Sequence, residues 1–256
     1  MTIQANAVSV GYRAAPVVQE VSLRAPAGSF TAILGPNGSG KSTLLRGLGR
    51  ILPLAGGSVE VAGKPLDSFA HKEFAREVAF LPQSPVVPDQ VTVRELVGRG
   101  RFPHHGLWRP WAKGDGPAID QAMAVAGVTE LAAQRVAELS GGQQQRVWLA
   151  LVLAQQTPAL LLDEPTTFLD IAHQYEVLDL CRDLAADGRA VVAVLHDLDQ
   201  AARYADQLIV LDGGRVAAAG TPAEVLTAEL MDRVFGLSVE ILVDPDTARP
   251  MLRVLR

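Results

Sequence analysis

With 256 residues, 48% of them hydrophobic and 20% charged, the chain is long enough to bury a sizeable core as one domain or two closely packed lobes, and its balance argues against disorder. A net charge of −5 supplies no general attraction to DNA or to an anionic membrane surface, so phosphate chemistry would have to be local and no nucleic-acid partner is expected. The one cysteine, Cys181, excludes an intrachain disulfide; it lies in the apolar helical pattern of Val177, Leu178, Leu180 and Leu184 and reads as buried packing.

Residues 1–11 lack a basic segment followed by an apolar one, and no apolar run nears the roughly 20 residues of a membrane span, so the chain reads as soluble and intracellular. Residues 3–10 and 17–23 read as strands with no helix between them, which predicts an antiparallel flank. Apolar or β-branched runs recur at 29–34, 159–162, 190–195 and 207–211, mostly alternating with helical patterns, and that alternation predicts a parallel α/β sheet. Between 85 and 156 the pattern turns mainly helical, clearest over 91–97, 118–125 and 143–154, and predicts an inserted helical subdomain. Within it, residues 102–117 carry Pro, Gly, His and Trp without a period and read as a loop. Adjacent side chains rarely converge on one ion, so His104 and His105 are expected on the surface of that loop rather than on a metal. After Gly220 a helical tail over 223–235 and a last strand-like piece follow, to which the sequence assigns no role.

Gly35, Pro36, Asn37, Gly38, Ser39, Gly40, Lys41, Ser42 and Thr43 follow a strand and precede a helical run, the context a phosphate-binding loop requires. Glycines let the backbone turn its N–H groups toward phosphate oxygens, and the helix that follows aims its positive end at the same place. Lys41 can then pair with β- and γ-phosphates, while the Ser42 hydroxyl can ligate Mg²⁺. The run Leu160, Leu161, Leu162 ends in Asp163 and Glu164, which puts two carboxylates at the carboxyl edge of a parallel sheet, where ligands bind in this architecture. Asp163 is the candidate for the metal ion and Glu164 for polarising an attacking water. Ser140, Gly141, Gly142 and Gln143, after Leu139, open another helix and offer a hydroxyl and N–H groups to an anion.

In this order, the phosphate loop, residues 139–143 and the Asp163–Glu164 pair resemble the nucleotide-binding subunit of ABC transporters, and the match covers nearly the whole chain. The resemblance implies a P-loop NTPase, RecA-like α/β core with an antiparallel β flank (1–84 and 157–222), an inserted α-helical signature subdomain (85–156) and a C-terminal extension (223–256). It implies a head-to-tail pairing with a second copy, in which Ser140, Gly141, Gly142 and Gln143 act in trans on ATP held by the partner's phosphate loop. It also assigns positions the residues alone would not: Gln83 as the glutamine that senses Mg²⁺ and the attacking water, His196 as the γ-phosphate histidine, Tyr12 as the ring stacked on adenine, and Asp170 as the aspartate coupling the two sites. The bulky Phe168 departs from the Ala commonly found there. Transmembrane permease subunits, an extracytoplasmic substrate-binding protein and a peripheral place on the cytoplasmic face of the inner membrane complete what the family implies.

A finer resemblance, over 91–103 and 168–174, points to ATPases of ferric siderophore importers, with cobalamin and haem importers close behind. The rival readings are a soluble ABC ATPase of translation or DNA repair, an export or lipid-transport ATPase, and a non-hydrolysing regulatory binder. The first usually carries tandem domains, coiled coils or basic extensions that are not seen here. Glu164 and His196 disfavour the last.

Overall fold

The computed structural model describes residues 2–12, 15–87, 89–105 and 114–255. The chain opens with β1 (Ile3–Tyr12) and β2 (Ala15–Ala25), an antiparallel pair, as the uninterrupted strand patterns predict. β3 (Ser29–Leu34) then starts a second sheet and runs through the phosphate loop into α1 (Lys41–Leu48). β4 (Leu54–Val61) and β5 (Lys64–Pro65) return to the first sheet, whose order is β2-β1-β4-β5. Helix α2 (His71–Glu77) leads to β6 (Val78–Leu81), after which α3 (Val93–Gly98), α4 (Asp115–Val125) and α5 (Gly141–Ala154) precede the next strand. Then come β7 (Ala159–Asp163), α6 (Ile171–Ala186), β8 (Ala190–Val194), α7 (Leu198–Tyr204), β9 (Gln207–Asp212) and β10 (Arg215–Gly220).

The second sheet has the order β10-β9-β3-β8-β7-β6, with β3, β6, β7, β8 and β9 parallel and β10 antiparallel at the edge. All five residues of β7 and of β8 are buried. Continuous apolar strands are what a parallel sheet covered on both faces demands. Side chains alternate between those faces. Phe30, Leu34, Leu160 and Leu162 pack with Val93, Leu96, Met123 and Val147 of the helical stretch, while Ile33, Leu161 and Val192 pack with α1 and with Ile3 and Val8 of the first sheet. Cys181 is buried in the first of these clusters, and desolvation pushes its thiol up to about 12.

Three expectations change. Residues 102–104 are not loop but the end of a 3-10 helix, Arg99–His104, and α4 already begins at Asp115, inside the stretch 102–117; residues 106–113 lie outside the described ones. The aperiodic sequence misleads because the turn is tied to distant elements: its Arg101 donates from Nη1 to the Ala154 carbonyl (2.8 Å) and from Nε to Asp115 (3.0 Å). His104 and His105 are not loop-surface residues either. His104 Nε2 meets the Gln155 carbonyl at 2.8 Å, and His105 is buried with Nε2 2.5 Å from Asp115. Finally, the tail over 223–235 breaks after Pro222–Val225, because Thr227 caps a new turn by accepting from Leu230 N, and the run then continues from Ala228–Leu230 directly into the wider turn Met231–Phe235. The strand-like end is a hairpin of β11 (Val239–Val243) and β12 (Pro250–Val254) that packs on α7, where Leu252 N donates to Asp199.

Candidate active site

β3, β7 and β8 end side by side, and the residues just beyond them converge on one cleft of about 200 Å³ whose walls include Asn37, Gly38, Gly40, Lys41, Ser42, Thr43, Glu164 and His196. The loop's shape depends on glycine at two points. Gly35 has φ +147°, and a Cβ there would lie 2.2 Å from the Leu211 carbonyl oxygen; Gly40 has φ +99° at the N-cap of α1 and would meet Val18 Cγ2 at 2.8 Å. No L side chain fits either position without displacing its neighbours. Lys41 is buried, and its ammonium donates to the carbonyls of Gly35 (2.8 Å) and Pro36 (3.0 Å), folding back over the loop. Burial lowers its pKa, against the opposing pull of Glu164 and Asp163. Pro36 and Ser39 shape the turn between them, Ser39 N donating to the Pro36 carbonyl at 3.2 Å.

Asp163 is the last residue of β7 and fully buried. Its Oδ1 accepts from the Ser42 hydroxyl at 2.7 Å, whereas its buried Oδ2 has no hydrogen-bond partner. Burial raises its carboxyl above the usual range, opposed by the Ser42 bond and the Arg46 charge. An orphaned carboxylate oxygen beside a hydroxyl is a hard-oxygen pair of the kind Mg²⁺ takes, so the residues fit that ion.

Glu164 follows at φ +54°, a left-handed backbone that a non-glycine residue adopts only where its surroundings hold it there. Its Oε1 lies 2.7 Å from His196 Nε2, and its Oε2 accepts from the Thr167 hydroxyl at 3.1 Å. Burial pushes its carboxyl up, but the bonds from His196, Thr167 and Gln83 together outweigh this and hold it below the ordinary glutamate range. The carboxylate is thus kept ionised beside the phosphate loop, the condition for accepting a proton from water.

The structure brings Lys41, Ser42, Asp163, Glu164, His196 and Gln83 together. The signature residues lie elsewhere, except that Gly141 lines a third cleft together with Gln83. Ser140, Gly141, Gly142 and Gln143 line a second cleft with Phe168, Asp170 and His173, and share none of its lining residues with the phosphate-loop cleft. There Ser140 caps α5, its hydroxyl accepting from Gln143 N (3.3 Å) and Gln143 Oε1 accepting from Ser140 N (3.0 Å). Asp170 caps α6, and its bonds from the His173 backbone and ring hold it below the usual carboxylate range. Tyr12, at the end of β1, is half exposed, and its hydroxyl accepts from Arg46 Nη1 at 2.9 Å.

A family model described as ABC transporter matches residues 18–167. The chain belongs to the ABC transporter family. It is 47% identical over 251 residues to the ferric enterobactin transport ATP-binding protein FepC of Escherichia coli (strain K12), covering 98% of this chain and 93% of that one. An inward-facing structure assigned to the metal-chelate type of ABC transporter superposes with a TM-score of 0.85 at 28% identity, over 100% of this chain and 97% of the other. A dimeric post-hydrolysis structure of the ATP-binding cassette MJ0796, bound to ADP and Pi, superposes with a TM-score of 0.75 at 27% identity, over 86% and 98% of the two chains. The chain is accordingly an ATP-binding, ATP-hydrolysing cassette. None of its described helices is long and apolar enough to cross a membrane.

Four contributors escaped the sequence reading. Val17 lines the phosphate-loop cleft, Thr167 bonds Glu164, His173 bonds Asp170, and Arg46 touches both Tyr12 and Asp163. Only Arg46 carried a signal, since it lies one helical turn after Ser42 on the same face of α1.

Proposed function

We propose that this chain energises an ABC importer of ferric siderophores or related iron complexes. The observation that carries the catalytic part is the Glu164–His196 contact of 2.7 Å beside the phosphate loop. The cargo rests on likeness to the ferric enterobactin relative. No residue of this subunit reads the cargo itself.

Lys41 exchanges its bonds to the loop's own carbonyls for the β- and γ-phosphates of ATP. Ser42 and Asp163 would hold Mg²⁺, which when bound would neutralise phosphate charge, and Gln83 would sense it. Glu164 takes a proton from the attacking water while His196 orients Glu164 and contacts the γ-phosphate. Tyr12 stacks on adenine. The signature residues, in a cleft apart from the phosphate loop within one chain, serve a second copy arranged head to tail, and Asp170 couples the two sites. Closing and reopening of that dimer moves transmembrane permease subunits on the cytoplasmic face of the inner membrane, with an extracytoplasmic binding protein delivering the cargo. The helical stretch 85–156 forms the signature subdomain that receives the permease, and 223–256 is a C-terminal extension.

The test is uptake of radiolabelled ferric siderophore in cells lacking this chain, restored by the wild type but not by Glu164→Gln. Normal siderophore uptake with lost haem or cobalamin uptake would move the cargo within the same branch. Normal uptake of all three would leave the hydrolase without the importer.

A further inference from the structure

Arg46 lies between two groups that the reaction uses separately. Its guanidinium donates from Nη1 to the Tyr12 hydroxyl at 2.9 Å, and Nη2 stands 3.8 Å from Asp163 Oδ2, the oxygen without a hydrogen-bond partner. That second distance is too long for a hydrogen bond, so the attraction is between charges. Asp163 has no exposed side-chain surface, whereas about a third of the Arg46 side chain is exposed. A buried carboxylate needs a compensating charge more than a partly solvated guanidinium does. Lys41 supplies part of it, but its ammonium is bonded to the Gly35 and Pro36 carbonyls.

The geometry points to Arg46 as a positioning residue that serves as Asp163's resident counter-ion, competes with Mg²⁺ for that carboxylate, and passes the outcome to Tyr12 through one guanidinium. The inference rests on reading Asp163 as the metal-holding carboxylate and Tyr12 as the adenine platform. Two cations drawn to one carboxylate repel, so Mg²⁺ binding weakens the hold of Arg46 on Asp163 and leaves it anchored by Tyr12 alone. Metal arrival and the pose of the aromatic ring are thereby linked, although Tyr12 is on the antiparallel sheet and Asp163 on the parallel one.

The experiment is calorimetric titration of the full chain with the non-hydrolysable analogue AMP-PNP, in excess Mg²⁺ and again in EDTA, taking the ratio of the two affinities. Arg46→Gln should raise the gain in affinity due to Mg²⁺ by roughly threefold to tenfold, as expected for removing one competing, partly exposed charge. Arg46→Lys keeps a cation and should return the ratio most of the way to wild type. Tyr12→Phe keeps the ring, removes the anchor, and should shift the ratio in the same direction as Arg46→Gln by about twofold. A residue that merely stabilised the fold would change both affinities together and leave the ratio untouched. Asp163→Asn separates the two layers of the argument. If it retains the Mg²⁺ gain, Asp163 does not hold the metal and the inference falls with that reading. If it abolishes the gain while Arg46→Gln leaves the ratio at the wild-type value, the metal reading stands and the counter-ion inference is overturned. Should Arg46→Gln fail to fold, an unchanged ratio in Tyr12→Phe overturns the link by itself.

Discussion

His196 Nε2 and Glu164 Oε1 stand 2.7 Å apart because β7 and β8 are neighbours in parallel register, Asp163 opposite Val194, so that the residues just past each strand share one rim. Replacing Glu164 with Gln keeps the shape and removes the proposed proton acceptor. ATP binding should persist, hydrolysis should fall by about 10²- to 10⁴-fold, and a closed dimer should accumulate. Phosphate release and gel filtration in ATP check both halves; turnover at the wild-type rate would take the base role from Glu164.

Asp163 predicts an inverted pH dependence. Its folded pKa lies above its ordinary value of 3.8, chiefly through burial. Above that value the unfolded chain has released this proton while the folded chain still holds it, so the unfolded state binds fewer protons and stability falls with rising pH until the folded carboxyl ionises as well. Asn at 163 does not titrate. Urea unfolding in EDTA from pH 4 upward should therefore show the variant gaining on the wild type and then running parallel to it. A constant difference across that range would contradict the burial argument.

Ser140 has a local role, and the proposed contact with a second copy would give it a distant one that can be tested separately. As the N-cap of α5 it accepts from Gln143 N, and Ala in its place should cost about 1 kcal/mol of stability. The distant role appears in mixed dimers. A subunit with Ser140→Ala should still bind nucleotide at its own phosphate loop and should slow hydrolysis at its partner's. Loss of nucleotide binding in the altered subunit itself would argue that the signature acts in cis.

Cys181 is buried with its thiol pushed up to about 12. Iodoacetamide at pH 8 should leave it unmodified in the folded chain and alkylate it fully in guanidinium, as mass spectrometry would record, since only the thiolate reacts. Rapid labelling of the folded protein would mean that α6 opens away from the sheet.

The chemistry-bearing stretches were legible because each depends on local backbone preference. Gly35 and Gly40 adopt positive φ values that a side chain would obstruct, and the all-apolar run ending in Asp163 reads as a buried parallel strand whatever surrounds it. Gln83, His196, Tyr12 and Asp170 were placed by resemblance, for a lone Gln, His, Tyr or Asp has no local signature of its role. The turn at Arg99–His104 stayed hidden because its supports, Asp115 and the Ala154 carbonyl, come from α4 and α5 rather than from its own residues.

Sequence alone determined which segments could hold phosphate and which carboxylates stood at a sheet edge, because glycine freedom and side-chain periodicity are properties of a few consecutive residues. Tertiary structure alone decided that Arg46 reaches both Tyr12 and Asp163, that Glu164 pairs with His196, and that Ser140 lies with Asp170 in a cleft apart from the phosphate loop. Those contacts follow from the strand order β3-β8-β7 and from how α1 packs beneath the first sheet. Both are set by burial of apolar faces across the whole chain, which no short window of sequence contains.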